Sequence, residues 1–282
     1  MPRATTDAAA PPPPLSAYQE LAPPRELRDL LVCRWRQQVV ADRAQRVVPD
    51  GCVDLVWRAG RELIVAGPAT RATIAALPAG STTVGVRFAP GAGAGLAGFP
   101  LGELRDENVP LAQVWGEEAA ARLEEALADA ATAATQIELL EQAVVGRRAL
   151  VPPADALVLA AVAAVGGSAG LGGAGRLGGA RRGGGAWNGH EPRVRELSDA
   201  LGIGERQLLR RFRAAVGYGP KTLARVLRFQ RFLAAAWTDP AAATGGGLAR
   251  LALDAGYADQ AHLSRDCREL AGLPPRRLLR DG

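Results

Sequence analysis

VRELSDALGIGERQLLRRF at Val194–Phe212 and LARLALDAGYADQAHLSRDC at Leu248–Cys267 are two copies of one pattern. Each copy opens with a short amphipathic segment of helical periodicity and passes through a glycine, Gly202 or Gly256. A second helical segment follows, and its outer face carries arginine, glutamine or histidine. Two short helices joined by a tight glycine turn are the sequence pattern of a helix-turn-helix, so the chain is expected to contain two of them.

Matching small and apolar residues support the repeat. Ser198 and Ala252 each precede the glycine by four positions, which lets the two helices approach closely. Leu208 and Leu263 follow the glycine by six and seven positions and are expected to anchor the second helix in the core. The two glycines are 54 residues apart, and a long helix, Lys221 to Ala236, is predicted between the copies. We call the copies the first head and the second head.

The two halves of the chain carry opposite charge. Residues 1–146 contain 13 arginines and 18 acidic residues, a net charge of −5, whereas residues 147–282 contain 21 basic and 11 acidic residues, a net charge of +10. A basic half beside an acidic one indicates that one domain binds a polyanion, and its helices favour DNA over a membrane surface. No apolar run of about 18 residues predicts a membrane span. The start, MPRATTDAAAPPPP, has no signal-peptide core, so we expect a cytoplasmic, nucleoid-associated protein.

Two longer stretches carry a family resemblance. RQLLRRFRAAVGYGPKTLARVLRFQRFL and ALDAGYADQAHLSRDCRELAGLPPRRLL resemble the DNA-binding domain of the AraC/XylS family of bacterial transcription regulators. The resemblance implies a sequence-specific regulator that binds double-stranded DNA. It also implies two recognition helices in successive major grooves, about 34 Å apart. A homodimer, a small-molecule effector and, for an activator, RNA polymerase are the implied partners; no cofactor, metal or catalytic residue is expected.

The resemblance also assigns roles to single residues. Eight align with the family's base-reading positions: Arg206, Leu209, Arg210, Gln260, Ala261, His262, Ser264 and Arg265. Arginine can donate two hydrogen bonds to guanine and glutamine can pair with adenine, whereas a leucine offers only an apolar contact, for example to a thymine methyl group. The candidates for contacts with the DNA backbone are Gln207, Arg213, Lys221, Arg225 and Arg228. Asp259 is expected to cap the second recognition helix.

The second head departs from the family pattern at two places. Cys267 stands where the family usually has a core phenylalanine, and Gly245-Gly246-Gly247 precede the first helix of this head. Glycine weakens helix initiation. We therefore predict that the second head reads DNA less strongly than the first.

Residues 30–88 have a strand-like pattern. Short runs rich in valine and aromatic residues (LVCRW, AQRVV, VDLVW, ELIVA, ATIAAL and TTVGVRF) alternate with turn signals containing glycine and proline. They predict an antiparallel β domain, a sandwich or a barrel, so that the whole chain is of the α+β class. The position of this domain before the heads also resembles the N-terminal sensory domain of AraC-type regulators, which implies a cupin-like fold. PDGCVDLVW and VGVRFAPGAG resemble an uncharacterised N-terminal domain of some of these regulators.

The expected domain organisation follows from these patterns. Residues 1–24 are predicted to be a disordered proline-rich lead-in, and residues 25–148 a β-rich sensory or dimerisation domain with trailing helices. Residues 152–282 form the all-α DNA-binding domain, in which the glycine-rich stretch 166–189 is an inserted flexible loop. The Gly93–Gly98 stretch has dinucleotide-binding spacing but lacks a βαβ context, so its glycines are better explained as helix-start residues.

The ligand and any thiol chemistry are less defined. Trp35, Asp54, Trp57 and Arg87 lie on predicted strands and are candidate ligand contacts. Cys33 and Cys52 leave open a redox or repair activity, although neither has a histidine nearby and thiols in strands are often buried. A non-specific architectural DNA binder is the third hypothesis.

Overall fold

The computed structural model describes residues 16–167, 192–239 and 247–281. Its N-terminal part is an antiparallel sheet region and its C-terminal part is helical, which confirms the predicted α+β class. Six strands form one sheet in the order β1-β2-β7-β4-β5-β8, and β3 pairs with β6 in a separate two-stranded ribbon. The strands are β1 Ser16–Leu21, β2 Leu31–Val39, β3 Arg43–Val47, β4 Val53–Arg58, β5 Glu62–Ala66, β6 Thr73–Leu77, β7 Thr82–Phe88 and β8 Asn108–Pro110.

Apart from strand β8, helices make up most of the described chain after β7. They are α1 Ala94–Ala97, α2 Leu111–Trp115, α3 Glu117–Asp129, α4 Ala133–Arg148, α5 Ala156–Gly166, α6 Val194–Leu201, α7 Glu205–Val216, α8 Pro220–Thr238, α9 Gly247–Asp254, α10 Gln260–Ala271 and α11 Pro275–Asp281. Single 3₁₀ turns lie at Arg25–Leu27 and Leu101–Leu104.

The core of the β domain lies between the six-stranded sheet and helices. Side chains alternate across a strand, so Leu55 of β4 and Val86 of β7 share one face, and they pack with Leu140 and Val144 of α4. The layer covering this face is therefore helical. The opposite face carries a smaller apolar cluster that includes Trp35 and polar residues described below.

The start of the domain differs from the prediction. Ser16–Leu21, expected within a disordered lead-in, pairs antiparallel with β2, from Ser16 opposite Val39 to Leu21 opposite Arg34. SAYQEL has no apolar alternation because it is an edge strand in which no residue is fully buried. Residues 1–15 lie outside the described chain.

Two hydrophobic clusters organise the helical part. One joins α5, α6 and α7 to the first turns of α8 through Leu208, Phe212 and Leu223, and the other joins the rest of α8 to α9, α10 and α11 through Phe229 and Leu263. Helix α8 thus contributes to both clusters, as expected of the long connecting helix. Of the predicted glycine-rich insert, residues 168–189 lie outside the described residues.

Candidate nucleic-acid interface

Both heads close their turns with the same backbone hydrogen bond. The amide of Ile203 donates to the carbonyl of Ser198 at 3.1 Å, and the amide of Tyr257 donates to that of Ala252 at 2.9 Å. The intervening glycines, Gly202 and Gly256, adopt φ of 65° and 92°. In each head the donor amide lies just after the left-handed glycine, and the acceptor is a carbonyl near the helix end that has no partner within the helix. The repeated helix-turn-helix predicted from the sequence is present.

The first recognition helix, α7, is anchored on one side and free on the other. Leu208 and Phe212 are fully buried four residues apart. Residues three and four apart share a helix face, so Arg206 and Arg210 are turned outward and are exposed. Leu209 is half-buried, and the backbone candidates Gln207 and Arg213 are exposed, as is Lys221 at the start of α8.

The second recognition helix, α10, begins at a well-formed cap. Asp259 accepts a hydrogen bond from the amide of His262 at 2.6 Å, which confirms the predicted N-cap. Leu263 is fully buried beneath the helix. Gln260, Ala261 and Arg265 are exposed, whereas His262 and Ser264 are half-buried.

His262 is packed within the domain. Its ring meets that of Tyr257 edge-on, with centroids 5.1 Å apart and planes at 88°. Its Nε2 atom lies 3.4 Å from Nη2 of Arg228. Within the described residues, no group of three or more His, Cys, Asp or Glu side chains is arranged to hold a metal ion.

Two of the predicted DNA-backbone contacts, Arg225 and Arg228, bind acidic side chains of α10. Arg228 is 8% exposed, binds Asp266 of α10 at 3.3 Å and lies over the Tyr257 ring at 4.9 Å. Arg225 donates to the same Asp266 at 2.7 Å and also binds Glu269. The two guanidinium groups are therefore engaged with α10, because Asp266 is buried below the helix instead of facing outward.

Arg211 joins the first head to α5. It donates two hydrogen bonds, of 2.6 and 2.8 Å, to Asp155, which also caps α5 by accepting from the amides of Leu157 and Val158. Burial alone would raise the pKa of Asp155, but the bond from Arg211 and those from the two amides outweigh it, so the pKa lies below its ordinary value.

Three of the four candidate ligand contacts meet on one face of the sheet. Asp54 accepts from Nε1 of Trp35 at 3.0 Å and from two nitrogens of Arg87 at 3.0 Å each. Arg87 also lies 3.3 Å from Asp50 and 3.4 Å from Glu20. Burial raises the pKa of Asp54, although Arg87 opposes that shift. These groups satisfy one another, which is the arrangement of a structural cluster.

Trp57 lies apart from the other three. It is on the helix-covered face of the sheet, where it is 5% exposed within the main core of the domain. Asp54 and Trp57 are three residues apart on β4, and an odd separation on a strand places side chains on opposite faces. Trp57 therefore lies on the face of the sheet opposite to the other three candidates.

The thiols of the redox alternative are buried. Cys33 and Cys52 are free cysteines with exposures of 4% and 7%. Burial raises the pKa of both thiols, with the neighbouring Asp50 and Asp54 adding to the effect. Since the thiolate is the reactive form, this environment disfavours nucleophilic or redox chemistry at either residue.

A cavity of about 340 Å³ lies where the two domains join. Its apolar lining includes Leu30, Leu96 and Leu159 of α5, and its charged lining includes Asp29 and Arg148, which form a 2.6 Å ion pair. The sequence offered no signal for it, because the lining comes from segments far apart along the chain.

Two parts of the chain match family models. Residues 19–110 match a domain of unknown function, DUF6597, and residues 197–281 match a helix-turn-helix domain of the AraC type. No curated protein and no solved structure matches the chain. No helix in the described parts of the chain is long and apolar enough to cross a membrane. The chain therefore combines an N-terminal domain of unknown function with a C-terminal AraC-type helix-turn-helix domain, the arrangement of a DNA-binding transcription regulator and consistent with the AraC family.

Proposed function

We propose that this regulator binds double-stranded DNA sequence-specifically, with α7 and α10 in successive major grooves. The observation that carries the proposal is the equivalence of the two heads. Each is closed by the same glycine turn and anchored by a buried leucine, Leu208 or Leu263, and each exposes polar side chains at the N-terminal half of its second helix. Helix-turn-helix proteins contact base edges with that half.

The exposed residues have the chemistry for base readout. Arg206 and Arg210 in the first head can each donate two hydrogen bonds to guanine, and Gln260 in the second can pair with adenine. Arg265 is a candidate for guanine or for a phosphate. Each good bidentate pair is worth about 1–3 kcal/mol of discrimination. The remaining family positions, Leu209, Ala261, His262 and Ser264, are proposed to supply apolar or weaker polar contacts.

Contacts with phosphates are proposed for three exposed residues, Gln207, Arg213 and Lys221. Such contacts position the protein without reading sequence. The net charge of +10 on residues 147–282 supports this role, since a basic domain attracts DNA over a distance. Regulation of transcription by DNA binding requires no chemical step.

The β domain is proposed to modulate this binding through a small-molecule effector or through a homodimer. The cavity at the domain junction supports an effector, because its volume lies at the lower end of that of ligand pockets. An effector bound there would raise the melting temperature of the wild type, and Leu159→Trp should abolish that shift. Sedimentation of the full chain distinguishes monomer from dimer. RNA polymerase is a proposed partner if the output is activation.

The test of the proposed function is selection of bound sites from a random double-stranded DNA pool at near-physiological salt. We expect two short sequence blocks about 10 base pairs apart, one for each head. The double variant Arg206→Ala/Arg210→Ala should erase one block, and Gln260→Ala/Arg265→Ala should erase the other. A pool without any enriched block would contradict the proposal and favour an architectural DNA binder.

The matched control is Arg213→Ala. It removes one arginine from the same helix, at a proposed phosphate contact in place of a base contact. We expect it to weaken binding to all sequences by a similar factor and to leave both blocks unchanged.

A further inference from the structure

Both recognition helices end against the β domain. Helix α7 stops at Gly217 and α10 stops at Gly272, with φ of 92° and 72°. Each of these C-terminal glycines faces a residue of the β domain, Pro68 for Gly217 and Arg46 for Gly272. The β domain thus contacts the two heads at equivalent positions.

The contact with the first head is a close fit. A side chain at Gly217 would overlap the Pro68 ring and approach the carbonyl of Leu101. The next residue, Tyr218, is 3% exposed, and its hydroxyl lies beside Gly51 of the loop before β4. The end of α7 is therefore enclosed by loops of the β domain.

The contact with the second head is made by hydrogen bonds. The amide of Ala72, just before β6, donates to the carbonyl of Leu270 at 2.7 Å, and Nη1 of Arg46 on β3 donates to that of Ala271 at 2.8 Å. The last four carbonyls of a helix have no partner within it, and cations near that end are favourable. The β3–β6 ribbon therefore caps α10 from another domain.

A third contact holds the connecting helix. The side chain of Gln230 on α8 donates to the carbonyl of Pro49 at 2.5 Å, and Leu223 packs close to Gly51. Helix α8 packs against both heads, and the β domain also contacts both of them. The two heads otherwise have separate hydrophobic clusters.

This arrangement leaves the reading surfaces free. The β domain contacts the C-terminal ends of α7 and α10, whereas the candidate base-reading residues lie in their N-terminal halves and Arg206, Arg210 and Arg265 are exposed. Arg206 and Gly217 are eleven residues apart, or about 16 Å along a helix. Docking therefore restrains the orientation of the helices without covering the side chains that would meet DNA.

We propose that the β domain fixes the relative orientation of the two heads and thereby determines the spacing of the DNA blocks that the protein accepts. Arg46 is the positioning residue for the second head, acting through α10 and not through DNA. The inference rests on the proposed function, since spacing selectivity requires that both heads read bases.

The test compares Arg46→Ala with Arg61→Ala on a set of DNA sites whose two blocks are separated by the selected spacing or by one base pair more or fewer. Arg61 is an exposed arginine in the β4–β5 turn, so its variant controls for the lost charge. We expect the wild type and Arg61→Ala to prefer one spacing, and Arg46→Ala to show a preference about tenfold smaller. Arg46→Lys, which can still donate to the Ala271 carbonyl, should restore most of it.

A second readout needs no DNA. Hydrogen exchange at the amide of Ala72 should be slow in the wild type and in Arg61→Ala, and faster in Arg46→Ala, because that amide is bonded to the docked head. An unchanged spacing preference in Arg46→Ala would overturn this inference but not the proposed two-head function. A wild type that binds a single block with full affinity would overturn the two-head function as well, whatever the exchange rate.

Discussion

The carboxylate of Asp266 on α10 lies 3.3 Å from the guanidinium of Arg228 on α8, and both side chains are buried. Arg225, one turn earlier on α8, donates to the same carboxylate at 2.7 Å. Two arginines of the connecting helix α8 thus form ion pairs with one carboxylate of the second recognition helix α10. Removing one partner of a buried pair leaves a charge without compensation, which costs more than the pair contributes.

Asp266→Ala is expected to destabilise the protein by about 3 kcal/mol, measured by urea denaturation. The control is Glu269→Ala, which removes the other acid that binds Arg225. Glu269 is 64% exposed, so we expect a loss below about 1 kcal/mol. Equal losses of stability in the two variants would show that the buried carboxylate of Asp266 stabilises the fold no more than the exposed one of Glu269.

The two heads are predicted to read DNA unequally. Arg210→Ala should reduce affinity for a defined site more than Arg265→Ala, with losses within about 1–3 kcal/mol for a guanine contact. The reason is the second head's departure from the family pattern, with Cys267 as a small core residue, fully buried, in place of phenylalanine. Titration of each variant against one labelled duplex gives the comparison, and equal or reversed losses would refute it.

Alanine variants at Gly217 and Gly202 form a matched pair that tests the contact between α7 and the β domain. Both have positive φ, so alanine at either position costs about 1–2 kcal/mol in backbone strain. A side chain at Gly202 meets open space, whereas one at Gly217 overlaps Pro68. Gly217→Ala should therefore lose about 1 kcal/mol or more beyond Gly202→Ala in thermal or chemical unfolding. Similar losses of stability in the two variants would mean that the β domain does not pack closely against the end of α7.

The pair of Asp155 and Arg211 predicts a pH dependence. Because the pKa of Asp155 lies below its ordinary value in the folded protein, its ionised form stabilises the fold at neutral pH. That contribution is lost as the pH falls below about 4 and through the folded pKa. Asp155→Asn keeps a capping oxygen but removes the charge, so it should cost about 1 kcal/mol at neutral pH. A deficit that stays constant down to about pH 3 would contradict this account.

Local sequence patterns predicted most elements, and their failures have physical causes. The six strand runs were predictable because they are rich in valine and aromatic residues and are bounded by turn signals, and the heads because their buried positions repeat every third to fourth residue. The strand at Ser16–Leu21 was missed because it is a polar sheet edge. Trp57 could have been separated from Asp54 by strand parity, a signal present in the sequence.

Other features depend on contacts between distant segments. Arg225 and Arg228 have the spacing of an outward basic stripe, and their ion pairs with Asp266 depend on a residue about 40 positions later in the chain. The capping of α10 by Arg46 joins residues 225 positions apart. Local patterns cannot encode such partners, since burial and pairing are properties of the packed domains.

The most direct test of sequence-specific recognition is the ratio of affinities for a selected site and for mixed-sequence DNA, measured with the full chain at physiological salt. We predict a ratio of about 10³ or more, with a loss of about 1–3 kcal/mol for each mismatched base pair in either block. A ratio near one, with affinity that falls steeply with salt on both DNAs, would contradict the account and identify a non-specific DNA binder.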